Sequence, residues 1–210
     1  MSITEQRPLT ADDFRRRALR QRGPFDGDDF GDHDLNPGLK DRFLTGALKR
    51  AAVMVPVIEH AAGATVLLTQ RPTTMRSHAG QIAFPGGRID AGDASVEAAA
   101  LRETEEEVGL GPDRVEVVGR LPDYVAGLGY RVSPVLGVVQ PGFALRLNPD
   151  EVDAAFEVPL AFLMDPANHH RQSKSWNGVE RHFYEMPFGE RHIWGLTAGV
   201  LRLLYERLYA

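Results

Sequence analysis

Four glutamates fall within five consecutive positions, Glu103, Glu105, Glu106 and Glu107, directly after Arg102. On a helix turning about 100° per residue, Glu103, Glu106 and Glu107 share one arc of roughly 100°, and Glu105 points elsewhere. Like charges at these spacings each cost a few tenths of a kcal/mol. The run also lies near the C-terminal end of its predicted helix, where the macrodipole disfavours anions. A hard divalent cation, Mg²⁺ or Mn²⁺, removes the conflict, because both prefer carboxylate oxygens and Mg²⁺ keeps waters that a phosphate can replace. A solvated acidic face without chemistry is the ordinary reading of such a run. What sets this one apart is the loop just before it, Pro85-Gly86-Gly87, which lets backbone approach a ligand closely.

The elements that must hold this run in place follow from patterning. The spacing predicts a helix over 94–107, with Asp93 as N-cap and Gly109 at C′. Runs at 52–59 and 65–70 read as strands around a hairpin-length loop, and 115–121 and 131–139 as further strands. The segment 151–164 reads as helical or mixed, broken by Pro159. Trp176-Asn177-Gly178-Val179 is the strongest hairpin signal in the chain. Val200, Leu201, Leu204, Tyr205 and Leu208 predict a core-facing helix over 197–209. Upstream, Thr10 caps a short helix with Asp13 at its third position and Leu9 stapled onto Phe14, fading near Gly23-Pro24. Residues 24–38, with Asp26, Asp28, Asp29, Asp32 and Asp34 among glycines and prolines, read as a solvated loop. Leu39, Phe43, Ala47 and Leu48 predict a second helix up to Arg50. The expected organisation is an N-terminal extension over 1–50 and a single α/β core over 51–210, with no internal repeat.

Composition narrows the chemistry. The 210 residues suit one domain with an extension. Hydrophobic residues at 43% and charged residues at 25% are globular values, which rules out a wholly disordered, collagen-like or fibrous chain. A net charge of −5 gives no global basic field for nucleic acid. Cysteine is absent, which excludes disulfides, thiolate zinc sites, Fe–S clusters and cysteine nucleophiles. Catalysis must therefore use oxygen, nitrogen or a metal held by carboxylate or imidazole. The apolar stretch 51–58 is interrupted by Pro56 and is far shorter than the ~18–20 residues that span a bilayer. Glu5, Asp12 and Asp13 argue against a targeting peptide. The expectation is a soluble cytoplasmic protein with no membrane or nucleic-acid partner. No GxxxxGK[ST], HExxH or GxSxG pattern occurs.

Residues 87–110 resemble the signature of the Nudix hydrolases, with Gly87, Asp93, Arg102, Glu103, Glu106, Glu107, Gly109 and Leu110 at the matching positions. There are three departures from the general pattern. Asp93 stands for glutamate, the second spacer is one residue longer, and Thr104 replaces an aliphatic residue. Leu67-Leu68-Thr69-Gln70-Arg71 and Arg76-Ser77-His78-Ala79-Gly80-Gln81-Ile82-Ala83-Phe84-Pro85-Gly86-Gly87 resemble the segment typical of coenzyme A pyrophosphatases. That branch also tends to carry the longer spacer with aspartate. Leu121-Pro122-Asp123-Tyr124, Gly129-Tyr130-Arg131-Val132, Phe156-Glu157-Val158-Pro159-Leu160 and Trp194-Gly195-Leu196-Thr197-Ala198 are similar to the same branch, so the resemblance covers about residues 50–207. Val125-Ala126-Gly127-Leu128 stands where relatives often have Thr and Ser.

The resemblance implies a Nudix fold, a mixed β-sheet sandwiched between α-helices. It also implies Mg²⁺- or Mn²⁺-dependent cleavage of a diphosphate. Glu103 and Glu107 become the leading metal ligands, and Glu106 a further ligand or the residue that orients or deprotonates water. Arg102 braces the loop by pairing with an acidic residue such as Asp93. Glu151 is a weaker candidate base, with a surface helix position as its ordinary reading. Arg71, Arg76 and His78 are candidate phosphate contacts, since arginine forks suit phosphate oxygens. Gln81, Gly86 and Gly87 belong to the same substrate-facing segment. Phe84 and Tyr130 are candidates to stack on adenine, although an aromatic flanking a strand is more often core. His169-His170 is no metal site, because adjacent side chains diverge. The implied partner is a small nucleoside diphosphate derivative, coenzyme A or an acyl derivative, and a homodimer follows by family analogy alone. A diphosphatase for ADP-ribose, a nucleotide sugar or a dinucleotide is the alternative. A non-catalytic Nudix-like binding module is the rival from another class.

Overall fold

The computed structural model describes residues 9–21, 30–74, 79–127, 129–176 and 178–210. In chain order these form α1 (Ala11–Arg20), β1 (Phe30–Gly31), α2 (Asp32–Leu35), α3 (Lys40–Leu44), β2 (Lys49–Ile58), β3 (Thr65–Gln70), β4 (Ile82–Ala83), β5 (Gly86–Arg88) and α4 (Val96–Val108). They continue with β6 (Val115–Arg120), β7 (Tyr124–Ala126), β8 (Tyr130–Val139), β9 (Ala154–Pro159), α5 (Leu160–Leu163), β10 (His170–Trp176), β11 (Val179–Phe188), β12 (Arg191–Trp194) and α6 (Leu196–Leu208).

Strand β2 organises the larger sheet. It runs parallel to β8 along its whole length, from Lys49↔Tyr130 to Ile58↔Val139. Its first half pairs antiparallel with β5, and its end pairs with β3. Pro56, which has no N–H to give, falls between those two antiparallel stretches. Strand β3 continues outward to β9 and β4, and β8 to β6 and β7. The sheet is therefore mixed, as expected. Period-two alternation assigns its faces. Ala52, Met54, Ile58, Leu67, Val135 and Val139 pack with Ala99, Ala100 and Val108 of α4. Val55, Val57, Val66, Leu68, Leu136 and Val138 pack on the opposite face with α1 and α6. Strands β10, β11 and β12 form a smaller antiparallel sheet, whose first hairpin turns between Trp176 and Val179 as the sequence predicts. Among the described residues, no helix is long and apolar enough to cross a membrane.

Several expectations need correction. The described residues upstream of 50 pack on the core, one of the roles open to the N-terminal extension. Phe14 is fully buried in the α6-side cluster, Arg15 pairs with Glu116, and Arg17 donates to the Leu208 carbonyl. Thr10 does cap α1, accepting from the Asp13 N–H at 3.1 Å. Of the stretch predicted as a solvated loop, Asp26, Asp28 and Asp29 lie outside the described residues, whereas 30–38 carries β1, α2 and a 3₁₀ turn. Asp32 turns its carboxylate inward and accepts from the Tyr124 hydroxyl at 2.9 Å and the Gly127 N–H at 2.7 Å. The predicted second helix stops at Leu44, because Lys49 and Arg50 are taken by pairing with Tyr130 and Arg131. The helix predicted to begin at Ala94 starts at Val96, capped by Ser95. Asp93 does not cap it, since its carboxylate is held by Arg102. The segment 151–164 is mixed, with an edge strand on β3 over 154–159 that ends at Pro159 and a short helix after it, and the strand pairing satisfies the backbone there.

Asp32 gives a test of how the N-terminal segment is anchored. Asp32→Ala leaves the Tyr124 hydroxyl and the Gly127 N–H without their acceptor, which costs about 1–3 kcal/mol in urea unfolding. Asp32→Asn keeps an acceptor and costs less. Burial raises the Asp32 carboxyl above its ordinary value, outweighing the Gly127 and Tyr124 donors that lower it. The folded state therefore takes up the Asp32 proton before the unfolded state does. Its contribution to stability grows as pH falls through the raised value and is complete below the ordinary one. Asp32→Asn lacks that pH dependence.

Candidate active site

Two glycines set the site by letting three backbone segments close up. The Met54 N–H donates to the Pro85 carbonyl at 2.8 Å, tying the loop to β2. A Cβ on Gly86 would fall within 3 Å of the Ala52 oxygen and Val53, and one on Gly87 within 3 Å of the Glu103 carboxylate. At Gly86 the obstacle is backbone and only glycine fits, whereas at Gly87 a Cβ would push the Glu103 carboxylate aside. Helix α4 buries Ala99, Ala100, Thr104 and Val108 against the sheet. Thr104 is fully buried where the signature usually has an aliphatic residue. Its hydroxyl donates to the Ala100 carbonyl at 2.6 Å, so the polar atom is satisfied inside the helix.

The C-terminal end of α4 recruits a distant segment. Gly109 caps it in the left-handed conformation at φ 74°, with its N–H on the Glu105 carbonyl. The next two open carbonyls, Val108 and Glu107, accept from the Arg146 and Asn148 N–H groups, both at 2.9 Å. The turn that follows brings Glu151 into electrostatic reach of Glu103 and Glu107. Glu151 is therefore half-buried in a turn, not on the surface helix that the sequence suggested. Sequence reasoning missed Asn148, which bonds Glu107's backbone and donates to Glu151 at 3.4 Å. Its signal was the turn-forming Asn148-Pro149 pair.

The glutamates divide into two environments. Glu107 is 4% exposed, and its Oε2 accepts from the Gly86 N–H at 3.3 Å. Burial pushes its carboxyl up to about 8, against the opposing pull of the Gly86 N–H and the Arg71 charge. Glu103 lies against Gly87 and is likewise raised, chiefly by burial, with Arg102 opposing. Glu106 is solvent-exposed and reaches back to Arg102 at 3.0 Å. Arg102 joins these groups to the loop. Its Nε and Nη2 grip Asp93 bidentately at 2.9 and 3.0 Å. Nη2 also donates to the Arg88 carbonyl, and Nη1 to Glu103 and Glu106. The guanidinium holds the Asp93 carboxyl below its usual range.

Among the described residues, no three carboxylate or imidazole side chains already converge as an ion-binding set. The donor chemistry nonetheless fits a hard divalent cation. Glu107 is a buried carboxylate with a single long N–H bond and too little positive charge to offset burial, and Glu103 lies across the glycine cradle from it. Both supply oxygen only.

The other predicted residues fall into three groups. Arg71 acts on Glu107 through its charge, bonds Gln81 through its backbone, and leaves its Nε screened from solvent with no partner among the described residues. Gln81 and Gly86 flank the same loop. Arg76 and His78 lie outside the described residues. Phe84 is 4% exposed within the α6-side core, so it is unavailable for stacking, while Tyr130 is half-buried with the Lys49 ammonium 5.4 Å from its ring centroid. His169 is buried, with Nε2 2.7 Å from the Leu163 carbonyl oxygen.

Comparison with known proteins places this geometry. The NUDIX domain profile matches residues 48–177. Proteins from Shigella boydii and Escherichia coli, named "uncharacterized Nudix hydrolase NudL", are 39% identical over 200 residues, covering 95% of this chain and 95% of theirs. The fold is similar to the NUDIX domain of Shewanella oneidensis NrtR, with TM-score 0.51, 20% identity, and coverage of 78% of this chain and 90% of that one. A NUDIX hydrolase from Alicyclobacillus acidocaldarius matches with TM-score 0.51 at 20% identity, covering 78% and 93%. With a family profile spanning most of the chain and relatives aligned nearly end to end, this protein belongs to the Nudix hydrolase family.

Proposed function

We propose that the protein hydrolyses the diphosphate linkage of coenzyme A or an acyl derivative, giving 3′,5′-ADP and (acyl-)4′-phosphopantetheine. The observation that carries this reading is the continuity of the segment 67–87 with the acidic helix. Strand β3 delivers Arg71 beside Glu107, and the same segment returns through β4 to present Gly86 and Gly87 to Glu107 and Glu103. This is the segment whose residues resemble coenzyme A pyrophosphatases.

In the proposed reaction, water adds to one phosphorus, the bond from that phosphorus to the bridging oxygen breaks, and the other phosphate leaves with that oxygen. Glu103 and Glu107 would hold Mg²⁺ or Mn²⁺, which neutralises the diphosphate oxygens and makes water a better nucleophile. Arg71 adds positive charge beside the same pair, with a donor to spare for a phosphate oxygen. Glu106, exposed next to the pair, orients the attacking water or takes its proton, a role that ionised glutamate suits. Glu151 faces Glu103 and Glu107 from the turn after Asn148 and is the second carboxylate placed for that role. Arg102 positions: it locks the loop carrying Arg88 and Asp93 onto α4, so that Gly87 stays against Glu103.

Purified protein incubated with coenzyme A and Mg²⁺ should release 3′,5′-ADP and 4′-phosphopantetheine, identified by mass spectrometry. Robust hydrolysis of ADP-ribose or a nucleotide sugar with no phosphopantetheine product would contradict the substrate and leave the fold untouched. Glu107→Gln should lower kcat more than about 100-fold, the order expected when a cation's several kcal/mol are lost from the transition state. Its thermal midpoint should match or exceed that of metal-free wild type, because a neutral amide carries less burial penalty than a carboxylate. Equal turnover in both proteins would remove Glu107 from the metal site.

A further inference from the structure

A cavity of about 470 Å³ opens where the turn between β11 and β12 meets the end of β3, lined by Gln70, Phe188, Gly189, Glu190 and Arg191. The residue after Gln70 is Arg71, and β12 packs against β4, so this cavity borders the segment that forms the proposed diphosphate site. The sequence reading assigned it nothing.

Arg191 differs from the arginines that serve structure. Arg15, Arg17, Arg102 and Arg202 are each paired with a carboxylate. Arg191 has no carboxylate partner among the described residues. Its guanidinium carbon lies 3.5 Å from the ring centroid of Phe156, and its Nη1 is screened from solvent with no hydrogen-bond acceptor. A shielded donor without an acceptor is costly, and burying a cation on an aromatic face without an anion leaves its fork unused. Phe156 sits in β9 opposite Leu68 of β3, so the aromatic face that receives the guanidinium is placed by the sheet before any ligand arrives. Such a fork is preorganised for two oxygens of a phosphate. Glu190, exposed on the same rim, offers an acceptor instead. A ligand meeting both would present an anion to Arg191 and a hydroxyl to Glu190, as a ribose phosphate does.

We infer that Arg191, stacked on Phe156 at this cavity, is an anion subsite that takes a phosphate monoester on the ribose of the substrate's nucleoside half, separate from the diphosphate centre. The inference rests on the coenzyme A reading, because a ribose 3′-phosphate distinguishes that substrate from other nucleoside diphosphate derivatives.

The test measures binding of 3′,5′-ADP and 5′-AMP to the full chain with Mg²⁺ by titration calorimetry, for wild type, Arg191→Met and Arg191→Lys. Methionine keeps an apolar stem on Phe156, and lysine keeps the charge without the fork. Wild type should bind 3′,5′-ADP about 10- to 100-fold more tightly than 5′-AMP, the range of a charge-assisted pair. Arg191→Met should bring that ratio close to one with 5′-AMP affinity unchanged, and Arg191→Lys should fall between. An unchanged ratio, or equal weakening of both ligands, would overturn the subsite. If Arg191→Met fails to fold, a wild-type ratio in Arg191→Lys overturns it as well. Arg191-dependent preference for 3′,5′-ADP in a wild type that leaves coenzyme A intact would refute the substrate and keep the subsite. Coenzyme A hydrolysis by a wild type with no preference for 3′,5′-ADP would refute the subsite and keep the substrate.

Discussion

Glu107 brings a carboxylate to a place where 4% of the residue meets solvent, and burial there pushes it up to about 8. Nothing in the packing of α4 needs an acid at that position. The Glu151 and Glu103 charges add to the cost of keeping it there, and three contacts limit it. The Gly86 N–H points at it, which requires β5 to approach β2 more closely than any Cβ allows. Arg71 adds positive charge from the end of β3. The backbone of Glu107 is secured from the far side by the Asn148 N–H, from a segment just over forty residues downstream. These contacts reduce the penalty without cancelling it, and the remainder is what a divalent cation would offset.

Arg102 divides the charge around this point. Its five donors reach two carboxylates on its own helix, a third in the loop and one backbone carbonyl. A lysine has no planar fork to do this. The clamp fixes the loop by tying Asp93 and Arg88 to α4, and it holds Glu106 at the surface beside the two inward glutamates. The net charge of −5 thus reads differently from a general aversion to anionic ligands. Much of the local negative charge belongs to the carboxylates proposed to hold a cation, and Arg71, next to Gln70 in the chain, and Arg191, which shares a cavity with Gln70, each keep a donor without a partner among the described residues.

The strongly patterned parts were legible in the sequence. The glutamate spacing, the left-handed cap at Gly109, the β-rich runs of β2, β3 and β8, and the hairpin turn between Trp176 and Val179 are local signals, and local physics settles them. What misled was competition from distant partners. Asp93 has good capping chemistry, but Arg102 nine residues on binds it more strongly, and Ser95 caps instead. Asp32 sits in a run of acids that looks solvated, yet the Tyr124 hydroxyl and Gly127 N–H, more than ninety residues away, draw it inward. The pattern over 39–50 is helical until β8 claims Lys49 and Arg50. Glu151 and Arg191 carry no local signal at all. One is aimed by the capping of another helix, and the other is a lone arginine in a short strand.

The central claim is that Glu103 and Glu107 form a divalent-cation site before any substrate arrives. Mn²⁺ titration followed by electron paramagnetic resonance, in the absence of substrate, tests it most directly. Wild type should bind at least one Mn²⁺ per chain, and that site should be lost in both Glu103→Gln and Glu107→Gln, with both variants folded by circular dichroism. Unaltered Mn²⁺ binding in the two variants would contradict the account.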